Sequence, residues 1–250
     1  MDMGADQNFL FAAVAESALE WWREAGVDTI VDEAPRNWLV KAASVAAEAA
    51  KPIERPTADT APARAVAPLA DTLDAFLAWR MSEAAPDFGW NAIRIAPSAA
   101  PSDLMVLVEA PERDDEAAGQ LLSGPAGVLF DRMLAAIGRS RETIHLASLA
   151  IARPLAGRLP HDAFDDLARI ARHHVGLVAP KAVLVMGNAP SRAFAGADVA
   201  SARGTSHIVN HANGTSTAIV TFHPRFLLER SAAKGEAWRD LQLLMGRLDA

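Results

Sequence analysis

The chain has 250 residues, of which 51% are hydrophobic and 22% are charged, a composition typical of a globular protein with one large domain. It contains no cysteine, which excludes disulfides, thiolate nucleophiles and cysteine-bound metals, and no apolar run approaches the roughly 20 residues that span a bilayer. The net charge of −7 disfavours a generic nucleic-acid binder, although residues 151–250 carry +4 against −11 for the first 150 residues.

The first 70 residues are predicted to lie outside the main domain. Apolar residues recur at helical spacing over residues 7–25, which predicts a helix, and residues 27–40 are predicted to form a second short helical or turn segment. Ala, Pro and Thr dominate residues 41–70, a composition typical of an extended or disordered linker. The sequence therefore predicts three parts: an N-terminal helical segment (1–40), a linker (41–70) and an α/β domain (71–250). The N-terminus lacks the basic region of a signal peptide, so we expect a cytoplasmic protein without a membrane span.

Apolar runs alternate with helical patterns throughout the predicted domain. Strands are predicted at residues 90–95, 104–108, 143–151, 182–186 and 217–221, and helices at residues 73–83, 128–137, 161–178, 191–194 and 234–248. The acidic stretch after Pro111 is predicted to be a loop, and residues 203–209 are predicted to lead to a turn at Asn213-Gly214. This alternation predicts the α/β class, a three-layer α/β/α fold with a central, mostly parallel sheet.

Two predicted strands end in residues that are able to do acid–base chemistry. Glu109 follows the strand at residues 104–108, and His223 follows the strand at residues 217–221. Because the carboxyl ends of parallel strands meet at one edge of a sheet, we expect these neighbouring strand ends to face one crevice. A carboxylate and an imidazole there can act as an acid–base pair or stabilise an anion. A purely structural His-Pro sequence after a strand is the alternative.

The segments from Leu104 onward resemble, in order and spacing, the uracil-DNA glycosylase superfamily, and are most like its family 4, the iron–sulfur-bearing branch. The resemblance spans about 150 residues. It rests on the motifs VLVEAP (106–111), GQLLSGPAGVLFDRMLAAIG (119–138), ARP (152–154), PKAVLVMGNAPSRAFAG (180–196), ARG (202–204) and TFHPRFLLERSAAKGEAWRDLQLLM (221–245).

The resemblance implies an enzyme that turns uracil out of duplex DNA, reads its edge and stabilises the departing anion. By position it assigns catalysis to Glu109 and His223. It assigns contacts with the base to Ala110, Pro111, Leu122 and Ser148. It assigns contacts with DNA to Gly124, Gly127, Asn188, Arg203, Pro224 and Arg225.

Four of the matched positions depart from the family pattern. Val108 and Glu112 replace the glycines that flank the first motif. Leu122 stands where an aromatic ring would stack on the base, and Ser148 stands where an asparagine would read the uracil edge with two hydrogen bonds. The last two replacements together are worth roughly 2–5 kcal/mol of lost recognition.

The cluster ligands of the family are also absent. Two of its cysteines fall on Ala152 and Leu167, and the upstream pair has no counterpart, so we expect no iron–sulfur cluster, other metal or cofactor. Two functions remain in competition. The favoured one is a degenerate, cluster-free DNA- or protein-binding accessory of repair or replication with little or no base excision, whose N-terminal helix binds a protein partner. The alternative is an active DNA glycosylase for uracil or another deaminated base; a non-DNA ligand in the same crevice is a third hypothesis.

Overall fold

The computed structural model describes residues 69–248. The helix predicted at residues 7–25, the segment at residues 27–40 and nearly all of the linker at residues 41–70 lie outside the described residues and stay predictions. Within the described residues, no helix combines the length and the apolar character that crossing a bilayer requires.

The strands of the described residues form one sheet. They are β1 (Leu104–Val108), β2 (His145–Ser148), β3 (Ala182–Met186), β4 (Ser206–His211) and β5 (Gly214–Thr221). The order across the sheet is β2-β1-β3-β5-β4, with parallel pairing from β2 to β5 and antiparallel pairing of β4 with β5 at one edge. Every residue of β1, β2 and β3 is buried, as expected for parallel strands that are covered on both faces.

Helices cover both faces of this sheet. In chain order they are α1 (Leu73–Arg80), α2 (Arg113–Ala118), α3 (Gly124–Ala136), α4 (Phe164–Val178), α5 (Asn188–Ala195), α6 (Val199–Ala202), α7 (Pro224–Glu229) and α8 (Lys234–Leu248). On one face α3 and α8 pack against Val106 and Leu184, and on the other α4 and α6 contribute to the core around Met105 and Val183. The predicted three-layer α/β/α fold with a mostly parallel sheet is confirmed.

Most predicted elements of the domain are confirmed, several with different bounds. The helix predicted at residues 128–137 begins earlier, at Gly124, with Pro125 in its first turn. The strand predicted at residues 143–151 is limited to His145–Ser148. The strand predicted at residues 217–221 begins at Gly214.

The prediction of a loop in the acidic stretch after Pro111 is wrong, because this stretch contains α2. Asp115 is 2% exposed, and its carboxylate accepts the backbone N–H groups of Glu112 at 3.0 Å and Ser123 at 2.6 Å. Acidic residues in a first turn satisfy unpaired N–H groups and favour the helix dipole. Asp115 therefore stabilises the start of a helix. The acidic composition of this stretch had predicted a loop.

At the edges of the sheet one further prediction is wrong and another is incomplete. Phe88–Trp90 form a 3-10 turn, and the strand predicted at residues 90–95 reduces to one antiparallel bridge between Arg94 and Ala152. Ser206–His211, predicted only to lead to a turn, form β4. This edge strand is largely solvent-accessible and lacks the apolar run by which the buried strands were predicted.

A buried ion pair joins α1 to the segment that follows β2. Arg80 and Asp87 are 2% and 0% exposed, and their side chains make two hydrogen bonds to each other. Arg80 also donates to the Leu149 carbonyl at 2.7 Å, and Asp87 accepts the Ile151 N–H at 2.6 Å. The pair therefore adds side-chain hydrogen bonds to a segment whose backbone N–H groups at Leu149 and Ala150 already donate to the Val108 and Glu109 carbonyls.

We expect Arg80→Met to lower the free energy of unfolding by about 3–5 kcal/mol, because it leaves the Asp87 carboxylate buried without a cation. Urea denaturation measures this loss. Arg192→Met is the matched control: its ion pair with Asp198 is 53% exposed on both sides, so its loss should cost at most about 1 kcal/mol. Equal losses in the two variants would show that the buried pair has no special role.

Candidate functional site

The carboxyl ends of β1, β3 and β5 open into one cavity of about 380 Å³. Its walls come from residues 109–112 after β1, residues 187–188 after β3, and the segment that begins at Phe222 after β5. The loop after β2 adds Arg153, Pro154 and Gly157. This is the edge at which open α/β sheets bind ligands, and the volume suits one small organic group.

Glu109 and His223 both line this cavity. The expectation that they follow neighbouring strands is wrong, because β3 lies between β1 and β5. Gly187, at the end of β3, fills the position between them with φ +99°, a conformation that strongly favours glycine. The cavity thus has a carboxylate on one side, an imidazole on the other and bare backbone in between.

His223 is the N-cap residue of α7, and this position fixes its tautomer. Its Nδ1 accepts the backbone N–H of Arg225 at 3.3 Å, so the proton of the neutral ring is on Nε2. Burial lowers the pKa of His223 to about 4, with a smaller contribution from the Arg225 charge. At neutral pH the cavity therefore contains an uncharged imidazole whose Nε2–H is able to donate to an anion.

Glu112 places a second carboxylate in the cavity wall. Its Oε1 lies 2.8 Å from Nη1 of Arg225 and 3.8 Å from Nδ1 of His223. Burial raises the pKa of Glu112, while the nearby Arg225 guanidinium acts in the opposite direction. Because His223 is neutral, the charge partner of Glu112 is Arg225. Sequence reasoning noted the charge of Glu112 but did not place it beside the imidazole.

Phe222 and Phe226 supply the aromatic surface of the cavity. Both rings line it, and they stack with centroids 4.8 Å apart and an interplanar angle of 22°. Sequence reasoning missed this pair, although the signal was present, since the two aromatics lie on either side of His223-Pro224-Arg225. A planar ligand can stack on such a surface.

The predicted base contacts divide into two groups. Ala110 and Pro111 line the cavity, whereas Leu122 and Ser148 do not. The Leu122 side chain is 2% exposed in the core beneath α3. Ser148 is 5% exposed, and its hydroxyl donates to the Ala150 carbonyl at 2.6 Å. Neither side chain is positioned to read a group bound in the cavity.

The predicted DNA contacts also divide. Asn188 and Arg225 line the cavity, and the Asn188 Oδ1 accepts the Val199 N–H at 3.1 Å. Arg203 instead pairs with Glu236 at 2.6 Å and Asp240 at 3.1 Å, outside the cavity lining. Pro224 is buried in the first turn of α7 and does not line the cavity.

Two glycines predicted to contact DNA, Gly124 and Gly127, lie in close contact with neighbouring groups of the protein. A Cβ at Gly127 would lie 2.0 Å from the Leu122 carbonyl oxygen, and one at Gly124 would lie 2.1 Å from a carboxylate oxygen of Asp114. Neither glycine lines the cavity.

The iron–sulfur cluster that the resemblance implies does not fit this chain. The 250 residues contain no cysteine to supply thiolate ligands. Ala152 and Leu167, the positions matched to two of the family's ligands, are both 0% exposed and belong to the packed interior. In the described part of the chain, no group of three or more His, Asp or Glu side chains is arranged to hold a metal ion.

Comparison with known proteins agrees with this geometry. A family model described as the uracil DNA glycosylase superfamily matches residues 97–242, more than half of the chain. The chain is also similar to a Type-4 uracil-DNA glycosylase of Pyrobaculum aerophilum, with 22% identity over 150 residues. That match covers 57% of this chain and 76% of the other protein.

We expect two-bond ¹H–¹⁵N spectra to show His223 as the Nε2–H tautomer, with no protonation until the pH approaches 4. Between about pH 6.5 and 4 an unfolded histidine binds a proton that folded His223 does not bind. This group therefore lowers the free energy of unfolding as the pH falls, by at most about 1.4 kcal/mol per pH unit. His223→Gln is the control, since it removes this part of the pH dependence. An Nδ1–H tautomer, or titration near 6.5, would contradict the assignment.

Proposed function

Since the chain belongs to the uracil-DNA glycosylase superfamily, we propose that it binds DNA as an accessory of repair or replication and accepts an unstacked base in the cavity between Glu109 and His223, with little or no base excision. The single observation that carries this proposal is the state of the two reading positions. Ser148 is hydrogen-bonded to the backbone and Leu122 is packed in the core, so the cavity retains a place for a base without the contacts predicted to recognise uracil.

The charges of the cavity support the same conclusion. Excision of uracil leaves a negative charge on the departing base, which enzymes of this chemistry stabilise with hydrogen-bond donors. Glu112 places a carboxylate 3.8 Å from Nδ1 of His223, across the ring from the Nε2–H that would meet that charge. Two negative charges about 7 Å apart repel by about 2 kcal/mol at an effective dielectric of about 20. Arg225 offsets part of this repulsion, and the remainder slows the reaction.

Recognition of DNA rests on the basic residues at the mouth of the cavity. Arg153 and Arg225 both line it, and Arg225 is 63% exposed despite its contact with Glu112. Guanidinium groups in this position are able to contact the phosphates on either side of an unstacked nucleotide. Binding through phosphates releases counterions, so affinity should fall steeply as the salt concentration rises.

One observation favours the alternative function, an active glycosylase for uracil or another deaminated base. The neutral His223 keeps an Nε2–H donor for a leaving anion, and Glu109 is on the opposite wall, where a carboxylate is able to activate water. Phe222 and Phe226 would then replace the stacking ring that Leu122 does not provide.

The remaining parts of the proposal concern residues beyond the cavity. The N-terminal segment, residues 1–40, is proposed to bind a protein partner, which a pull-down with that segment tests. The cytoplasm is the proposed location, because a chain without cysteine is suited to a reducing compartment.

The two functions separate in one assay. The full chain is incubated at stoichiometric concentration with single- and double-stranded oligonucleotides that contain uracil, hypoxanthine or xanthine, and abasic sites are revealed by alkali. We expect no abasic sites. When binding to the same oligonucleotides is measured at increasing salt concentration, we expect the affinity to fall. Excision that disappears in His223→Ala would establish the alternative, and absence of salt-dependent binding would contradict both functions.

Glu112→Gln provides the matched variant. It removes the charge beside His223 while the side chain keeps its size, so we expect DNA affinity to rise several-fold at low salt, where charge repulsion is least screened. Asp162→Asn, a change of equal charge in an acidic residue outside the cavity lining, is the control. An equal effect of the two substitutions would mean that Glu112 acts only through net charge.

A further inference from the structure

A second concave surface, a groove of about 240 Å³, lies between α3 and α8. Seven of its nine lining residues are apolar, and no residue lines both this groove and the cavity at the strand ends. Leu227 of α7 belongs to the lining and is 1% exposed, so the floor of the groove is continuous with the core beneath it. Within residues 69–248 nothing covers this apolar floor.

Two large apolar side chains are exposed at the groove. Trp238 of α8 lines it and is 40% exposed. Val128 is 55% exposed and lies four residues before Arg132, on the same face of α3. Exposed apolar side chains around a concave site are typical of a protein-binding surface, and tryptophan is a frequent anchor in such surfaces.

Two cations lie on opposite sides of the groove. Arg132 belongs to α3 and Lys234 to α8, and both residues are exposed. Among the described residues neither forms an ion pair. Asp131, the acidic neighbour of Arg132 in the chain, pairs with Arg141 at 2.6 Å. No acidic residue lines the groove, so an apolar floor lies between two positively charged edges.

This arrangement is complementary to an amphipathic helix with acidic flanks. A helix bound in a groove places its apolar stripe along the floor, and the residues beside that stripe face the edges. Acidic residues in those positions would meet the two cations. Duplex DNA offers phosphates to the cations but no apolar side chains to the floor, and a flat lipid surface does not reach the floor of a concave site.

We propose that the groove between α3 and α8 binds an acidic amphipathic helix of a partner protein. Trp238 and the buried side chains of the floor contact the apolar stripe of that helix, while Arg132 and Lys234 pair with its acidic flanks. Because the groove and the cavity share no lining residue, a bound partner leaves the cavity accessible. The protein therefore has one surface for a partner protein and a separate one for DNA.

The test uses the full-length protein and two synthetic helical peptides with the same leucine stripe, flanked by glutamates in one and by lysines in the other. Calorimetry measures both affinities, and we expect the glutamate peptide to bind about tenfold more tightly. Binding should also shift the NMR signal of the Trp238 indole N–H, which is assigned by its loss in Trp238→Phe.

A double charge reversal locates the selectivity. In Arg132→Glu/Lys234→Glu we expect the lysine peptide to become the tighter ligand. The matched control is Arg239→Glu/Arg247→Glu, which changes the net charge equally at two exposed positions of α8 outside the groove lining. This control should keep the preference of the wild type. All four positions are exposed, and unchanged melting temperatures confirm that the variants are folded.

Several results would overturn the proposal. Equal affinity for the two peptides, or an unchanged preference in the groove variant, would remove the role of the cations. Phosphatidylglycerol vesicles that shift the Trp238 signal when neither peptide does would make the groove a lipid-binding surface. A dimer in solution that Arg132→Glu/Lys234→Glu dissociates would assign the groove to a second copy of this chain. Loss of salt-dependent DNA binding would contradict the proposed function and leave this inference intact.

Discussion

Parallel pairing of β1, β3 and β5 is the constraint from which the site follows. Hydrogen bonding between the strands fixes their spacing, so Glu109 and His223 stand two strand separations apart, about 10 Å between their strand axes. Gly187, the residue that follows β3, lies between them, and its lack of a side chain leaves the interval open. The sheet therefore sets the width of the cavity, and the side chains that line it determine its chemistry.

The cavity lies at the strand ends where a base site is expected, and several charged groups line it. A neutral imidazole, held in one tautomer by the first turn of α7, faces two carboxylates and two guanidinium groups. The side chains predicted to distinguish one base from another are absent from the wall, while Phe222 and Phe226 offer a surface that is indifferent to base identity. Such a site suits the function proposed above, in which a base is held with little or no excision.

The sequence predicts the parts of this fold that depend on local pattern. Buried parallel strands appear as apolar runs, which is why Ala182–Met186 is predicted with its observed bounds. β4 could not be predicted in this way, because an edge strand exposed to solvent needs no apolar run. The ion pair of Arg80 and Asp87 was also not predicted, because the sequence does not show that α1 packs against the segment after β2. For the site, the sequence predicted which residues follow the strands, but it did not predict the direction of the Leu122 side chain.

The position of the Leu122 side chain depends on several neighbouring residues. Its backbone has φ +54°, rare for leucine, and its carbonyl accepts a hydrogen bond from Arg141 while Gly127 packs directly against it. This conformation turns the side chain inward, so a phenylalanine introduced there would enlarge the core and would not face a bound base. Regaining a stacking ring at this position would require the turn, the arginine and the start of α3 to change together. A substitution at residue 122 alone would therefore not place a ring in the cavity, and engineering of the pocket is better begun from the opposite wall.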